Sequence, residues 1–155
     1  TAWGVLSGTK TGYVGVERDY DDFPFADVLG LSSYPYFAYA QPEDIPSNYY
    51  VRVVNGHRLP VMVVEGGWTS ASVGSITSSP DEQARYVTRH AQLLDSVQAT
   101  ALIQLQFADL DLAAYPQPQP PNLPLFVQIG LTDADFNPKP ALAAWDALHS
   151  RRRVP

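Results

Sequence analysis

The chain has 155 residues, 10 Lys+Arg against 16 Asp+Glu, a formal net charge of −6 and no cysteine. That length sets a prior of one domain with a real core. The acidic balance excludes an ordinary nucleic-acid binder, which needs clustered Lys/Arg. The missing cysteines exclude disulfides, thiolate metal ligands and cysteine nucleophiles. No run approaches the roughly 18 apolar residues of a membrane span. Thr1 is followed by neither a basic n-region nor an apolar h-region, so the chain reads as a mature or truncated product.

In chain order, Ala2 to Leu6 fits the end of a strand, and Gly8, Gly12 and Gly15 suit a loop. Val28–Leu31 is a short apolar run leading into Ser32-Ser33-Tyr34-Pro35-Tyr36, the pattern of a buried strand. A weak helix is predicted from Ile45-Pro46 over Tyr49, Tyr50 and Val53, stopping at Asn55-Gly56. A second strand, Leu59–Val64, runs into Glu65-Gly66-Gly67-Trp68. Ser79-Pro80-Asp81-Glu82 is a helix start, with Ser79 as cap, Pro80 at the first position and Glu82 closing a capping box. That helix reaches about Val97 and carries Ala84, Val87, Ala91 and Leu94 as one apolar stripe. A third strand is expected over Thr100–Phe107, leading into Ala108-Asp109. The Pro-rich stretch Tyr115–Pro124 reads as a surface loop. The last helix starts near Pro138-Lys139-Pro140 and carries Leu142, Trp145 and Leu148. Arg151-Arg152-Arg153 suits the negative end of its dipole. Strand and helix alternate, so the fold class is α/β with a parallel sheet, its near-continuous apolar strands covered on both faces.

In such folds the ligand lies at the C-terminal ends of the strands. There stand Ser32, Ser33, Tyr34 and Tyr36, then Glu65 and Trp68, then Gln104, Gln106, Phe107 and Asp109. Glu65 is one of only four glutamates, and it ends a run of four apolar residues. Strand alternation puts Val61, Val63 and Glu65 on one face; if that face is a barrel interior, the carboxylate points into the mouth. Otherwise Glu65 caps a loop or pairs with an arginine. The two following glycines permit a sharp turn and close backbone approach. Trp68 suits either stacking on a sugar ring or plain packing. A Tyr34 or Tyr36 hydroxyl reaching the carboxylate would orient it and stabilise its charge; rim packing is the other reading of both.

Other motifs fail. Asp133-Ala134-Asp135-Phe136-Asn137 opens like a calcium loop, but Pro138 stands where glycine is needed, which leaves a turn before the last helix. Gly8-Thr9-Lys10-Thr11-Gly12 lacks the spacing of a phosphate loop. There is no Gly-x-Ser-x-Gly elbow. His57, His90 and His149 are scattered without ligand spacing, so neither a metal nor a cofactor is expected. His90, in mid-helix, reads as a surface or packed residue.

Gly30-Leu31-Ser32-Ser33-Tyr34-Pro35-Tyr36 and Pro60-Val61-Met62-Val63-Val64-Glu65-Gly66-Gly67-Trp68 resemble the sixth and seventh strands of clan A glycoside hydrolases. The arabinogalactan endo-galactanases and related bacterial barrels are the most similar group. Gly130-Leu131-Thr132-Asp133 and Lys139-Pro140-Ala141-Leu142-Ala143-Ala144-Trp145 are similar to the close of the same barrels. The resemblance implies the C-terminal part of one (β/α)8 barrel spanning 1–155. Residues 1–26 would be the end of strand five and a loop, 27–150 three β/α units, and 151–155 a basic tail.

It further implies a retaining glycosidase acting on a polysaccharide or oligosaccharide. Glu65 would be the nucleophile, with Tyr34 (or Ser33 in its place) hydrogen-bonded to it. Trp68, Ser32, Tyr36, Gln106, Phe107 and Asp109 would contact substrate. A polysaccharide substrate would in turn suggest a secreted or periplasmic setting. Such enzymes also need an acid/base about 5–5.5 Å from the nucleophile, which in this clan follows an asparagine on strand four. The sequence has no Asn-Glu pair, and Phe107 stands where a tryptophan often ends strand eight. A whole barrel needs about 250 residues, 200 at least. The expectation is therefore a nucleophile-bearing part that is inactive alone and partners the missing N-terminal half or a second subunit. The alternative is a half-barrel module for carbohydrate binding or oligomerisation, and a third is an unrelated α/β domain with a structural Glu65.

Overall fold

The structure is a computed structural model describing residues 2–7, 25–54, 56 and 58–152. Expectations on Gly8, Gly12, Gly15, Asn55, His57 and Arg153 lie outside the described residues. Four strands form one sheet in the order β1 (Ala2–Ser7), β2 (Ala26–Ser33), β3 (Val61–Gly66) and β4 (Ala101–Leu102). Every neighbouring pair is parallel. Helix α1 (Val51–Val54) lies between β2 and β3, α2 (Pro80–Asp95) between β3 and β4, and α3 (Pro140–His149) after β4. The three units β2–α1, β3–α2 and β4–α3 have the architecture of the C-terminal portion of a (β/α)8 barrel. β1 adds a further parallel strand where Ala2 to Leu6 suggested one.

The sheet is apolar on the side that packs against the helices. Leu29 and Leu31 of β2 stand beside Val61 and Val63 of β3, and all four are buried. Tyr50 and Val53 from the α1 region, Tyr86, Leu93 and Leu94 from α2, and Ile129 complete this core. A smaller cluster of Val87, Leu131 and Ala141 joins α2 to α3.

Helix α2 starts where its caps place it. Ser79 is extended, and its hydroxyl accepts from the Glu82 amide at 3.2 Å. The Glu82 carboxylate accepts from Gln41 Nε2 rather than closing the box, which ties the helix to the β2–α1 loop. The buried stripe also differs from the predicted one. Ala84 and Ala91 are only partly covered, whereas Gln83, Tyr86, His90 and Leu93 face the core. Two of these are polar, so a hydrophobic count missed them.

Two expected elements are shorter than predicted. Helix α1 has one turn, because β-branched Val51, Val53 and Val54 are weak helix formers. The third strand stops at Leu102 instead of Phe107. Its amides still reach β3, Ile103 to the Val63 carbonyl and Leu105 to the Gly66 carbonyl. Beyond Leu102 the Gln104 and Gln106 side-chain amides bond loop carbonyls. Ile103 and Leu105 remain 48% and 39% exposed.

Beneath the end of β2 runs a buried polar chain. The Tyr50 hydroxyl donates to Ser33 Oγ at 2.8 Å and lies 2.7 Å from His90 Nε2. Burial pushes the His90 imidazole down to about 3 from its ordinary 6.5. The unfolded chain therefore gains a proton below pH 6.5 that the folded chain refuses. This contribution is complete above pH 6.5 and is lost as pH falls toward 3, at ~1.4 kcal/mol per pH unit. Urea denaturation between pH 6.5 and 4.5 will show this slope, and His90→Gln will flatten it. An unchanged slope in the variant refutes the assignment.

Candidate active site

Glu65 is the penultimate residue of β3 and Tyr34 follows the last residue of β2. A register shift brings them together. Leu31 pairs with Val63, but the next residue, Ser32, pairs with Glu65, so β3 carries one extra residue, Val64. Alternation along β2 puts Ser32 on the opposite face from Leu29 and Leu31. Glu65 therefore leaves the face of Val61 and Val63, contrary to the simple alternation expected of it. Bulges of this kind redirect side chains beside functional sites.

The Tyr34 hydroxyl donates to Glu65 Oε1 at 2.5 Å. Burial, and then the bond to the Glu65 carboxylate, push the Tyr34 phenol well above its ordinary range. It remains a proton donor at any working pH. Gly66 makes the approach possible, since a Cβ there would lie 2.8 Å from the Ser33 carbonyl. The Gly67 amide then donates to that carbonyl at 3.3 Å.

Tyr36 is buried, and its hydroxyl donates to the Leu125 carbonyl at 2.9 Å, not to the carboxylate. Burial raises its phenol as well. The Tyr34 ring is flanked by Tyr36, Phe37 and Phe126, with Phe126 nearest at 5.0 Å between ring centroids. Phe37 and Phe126 went unnoticed in the sequence, because neither lies at a strand end or in a motif.

The other expected contacts separate. Trp68 is 1% exposed, stacks on Tyr86 at 5.1 Å and donates its indole N–H to Ser78 Oγ. Of its two readings, packing is the one observed. Ser32 is buried opposite Glu65 in the register. Ser33 bonds Tyr50 rather than Glu65, which leaves Tyr34 as the residue bonded to the Glu65 carboxylate. The Gln106 amide donates to the Phe126 and Val127 carbonyls. Phe107 is exposed.

Asp109 is committed to structure. Its Oδ1 takes the Lys139 ammonium at 2.5 Å and the Gly130 amide at 3.0 Å. Burial raises the Asp109 carboxyl against the opposing pull of Lys139. Lys139 also reaches Ser70 Oγ and the Gly130 carbonyl, so one node joins the β3–α2 loop to the start of α3. Gly130 is required there, since a Cβ would lie 2.4 Å from the Ala108 and Asp109 backbone. The Asp133 loop is a turn, as expected. The Asp133 carboxylate accepts from the amides of Asp135 and Asn137, and its bond from the Asn137 side chain leads the effects that hold it below its ordinary range. Arg151 forms an exposed pair with Asp95.

No family model matches the chain, and a comparison with curated proteins finds no match either. Solved structures do match. A β-glucuronidase from an uncultured Clostridium sp. aligns with a TM-score of 0.61 at 18% identity, over 82% of this chain and 23% of that one. A Ruminococcus gnavus β-glucuronidase structure aligns with a TM-score of 0.61 at 16% identity, over 98% of this chain and 26% of that one. The chain thus spans about a quarter of the length of the structures it matches. The likeness is one of fold, an open parallel sheet with flanking helices similar to a β-glucuronidase-like barrel. It does not single out the arabinogalactan endo-galactanases.

The Asp109–Lys139 pair is mostly covered, with side chains 12% and 11% exposed. Removing one partner of such a pair strands the other charge, at a cost of roughly 3 kcal/mol. Lys139→Met will lose about that much in urea denaturation, and adding Asp109→Leu will recover part of it. A loss below ~1 kcal/mol would show that Asp109 is solvated without its lysine.

Proposed function

We propose that this chain supplies the nucleophile-bearing part of a retaining glycoside hydrolase barrel acting on a polysaccharide or oligosaccharide. The carrying observation is the Glu65 carboxylate at the end of β3, oriented by the protonated Tyr34 hydroxyl from β2. One carboxylate oxygen is occupied by that bond, and the other attacks the anomeric carbon. The glycosidic bond breaks as the leaving oxygen takes a proton from an acid on the opposite side. Water then hydrolyses the covalent glycosyl-enzyme, with the same acid acting as base.

In this reading the acid/base comes from another part of the barrel, since the sequence has no Asn-Glu pair, and four of the described carboxylates are already engaged. Glu43 pairs with Arg85, Glu82 with Gln41, Asp95 with Arg151 and Asp109 with Lys139. Within this reading a polymeric substrate would suggest a secreted or periplasmic setting. The sequence resemblance suggests a galactan, and the fold likeness suggests a β-glucuronide.

A second reading is a carbohydrate-binding or oligomerising half-barrel without hydrolysis. The exposed Ile103 and Leu105, just beyond β4, favour it, since an open apolar edge invites pairing. Light scattering of this chain will show a dimer under that reading.

Trapping decides for the hydrolase. The protein carrying the whole barrel, treated with 2-deoxy-2-fluoro derivatives of a β-galactoside and a β-glucuronide, will carry one glycosyl mass on the peptide containing Glu65. Label on another carboxylate, or none, overturns the assignment. Tyr34→Phe removes a hydrogen bond to a charged group, worth about 1.5–3 kcal/mol, and so will lower kcat by roughly 10- to 100-fold.

A further inference from the structure

Ser33 is where the two halves of the site meet. Tyr34 follows it in the chain. Its carbonyl accepts from the Gly67 amide and lies against Gly66, the two residues that follow Glu65. A displacement of Ser33 therefore moves both partners of the Tyr34–Glu65 bond. The Ser33 side chain shares the core face of Leu29 and Leu31. There the Tyr50 hydroxyl, at the start of α1, donates to its Oγ at 2.8 Å, and His90 Nε2 from α2 stands 2.7 Å from the same phenol oxygen. Ser33, Tyr50 and His90 are all buried. Two helices of different β/α units thus fasten one strand tip. Helix α2 also reaches the other tip. The His90 and Tyr86 rings lie 4.9 Å apart between centroids, and Tyr86 stacks on Trp68, three residues after Glu65. Gln83 Nε2 donates to the Trp68 carbonyl at 2.9 Å.

We infer that Tyr50, backed by His90, is a positioning residue for the Tyr34–Glu65 pair and acts through Ser33. The inference rests on the glycoside-hydrolase reading of Glu65. Tyr50 sits on the core side of the sheet, the face that the β3 bulge makes Glu65 leave. Packing does not account for its hydroxyl. Phenylalanine would fill the same space without burying a polar atom, which is unfavourable unless that atom is bonded. A bonded polar chain in a core fixes one arrangement of the groups it joins, where apolar contacts alone tolerate several. Attack by a carboxylate needs that precision, since a misplacement of about 1 Å can slow a reaction roughly 100-fold. The chain Ser33–Tyr50–His90 supplies it from behind the sheet, leaving the side that faces the sugar free of the supporting groups.

The test separates positioning from packing. The protein carrying the whole barrel is labelled with dinitrophenyl 2-deoxy-2-fluoro derivatives of a β-galactoside and a β-glucuronide, whose leaving group needs no proton. The rate of labelling then reads attack by Glu65. Tyr50→Phe keeps the ring and removes the hydroxyl. It will lower the maximal labelling rate about fivefold to tenfold and hold the half-saturating probe concentration within about twofold, because the nucleophile is displaced and the sugar site is not. In a Tyr34→Phe background the same change will alter the rate by less than about twofold, since both act on one bond. Tyr50→Phe also strands two buried groups. Ser33→Ala, which cuts the chain at its other end, is therefore measured in parallel and decides by the same criteria if the first variant does not fold. Unchanged rates overturn the inference. Equal losses with and without the Tyr34 hydroxyl also overturn it, by showing a general packing role. A parent labelled at Glu65 with unaffected variants leaves the enzyme reading standing and removes only the positioning role, whereas a parent without label on Glu65 removes both.

Discussion

The site depends on the extra residue in β3. Without the shift between Leu31 and Ser32, Glu65 would share the face of Val61 and Val63, which points at the helices. A carboxylate placed there would lie on the core side of the sheet, where burial disfavours its charged form. With the shift, Glu65 falls beside Ser32 and meets Tyr34. Gly66 completes the arrangement by letting the Ser33 carbonyl come closer than any side chain would tolerate. Bulge, glycine and tyrosine thus act as one device that turns a strand-end glutamate toward the mouth of the sheet.

Around it, polar side chains do much of the work that a longer strand or helix would otherwise do. Ser33, Tyr50 and His90 form one chain under β2, Gln83 bridges the Trp68 and Gly130 carbonyls, and Lys139 gathers Ser70, Asp109 and Gly130. A partner lost from such a network leaves a buried group unpaired, which costs more than the bond itself was worth. The Ser33–Tyr50–His90 and Gln83 bonds fix loop positions relative to the sheet, because each has an end on a strand tip or on α2, whereas the Lys139 bonds tie loops to one another. The Asp109–Lys139 pair has the same character: the charges hold two loops in one relation, whatever their net contribution to stability.

What the sequence revealed follows from which signals are local. Ser79-Pro80 marks the start of α2 because capping is decided within four residues. The strand tips at Ser33 and Glu65 were legible because apolar runs end there. The Tyr34–Glu65 bond was anticipated in kind, since adjacent parallel strands bring their tips together. Long-range decisions were not legible. Nothing in Val61 to Glu65 announces the bulge, which arises from pairing with β2. Trp68 is aromatic at a strand tip, yet Tyr86, one helix away, claims its face. Gln106 and Asp109 looked like binding groups because they are polar at the end of an apolar run. Their partners, the Phe126 carbonyl and Lys139, are 20 and 30 residues further on. Phe126, whose ring flanks Tyr34, carries no local mark either.

The same distinction bears on the third strand. Thr100–Phe107 has the composition of a buried strand, and its amides do reach β3 through Leu105. Yet Ile103 and Leu105 stay exposed while the Gln104 and Gln106 amides are turned onto the Ile129, Phe126 and Val127 carbonyls. The apolar residues alternate toward the sheet face that the helices leave uncovered, since Ala101 pairs with Met62 and Ile103 follows it two residues on. In a closed barrel that face is filled by side chains from all the strands. The composition of the run thus answers to a neighbour on its apolar side, and the glutamines answer to the loop on the other. The backbone of the segment keeps to β3 as far as Leu105, while the Gln104 and Gln106 amides bond the Ile129, Phe126 and Val127 carbonyls. Only Ala101 and Leu102 pair in regular register, so a pattern read from composition alone overstates the strand's length.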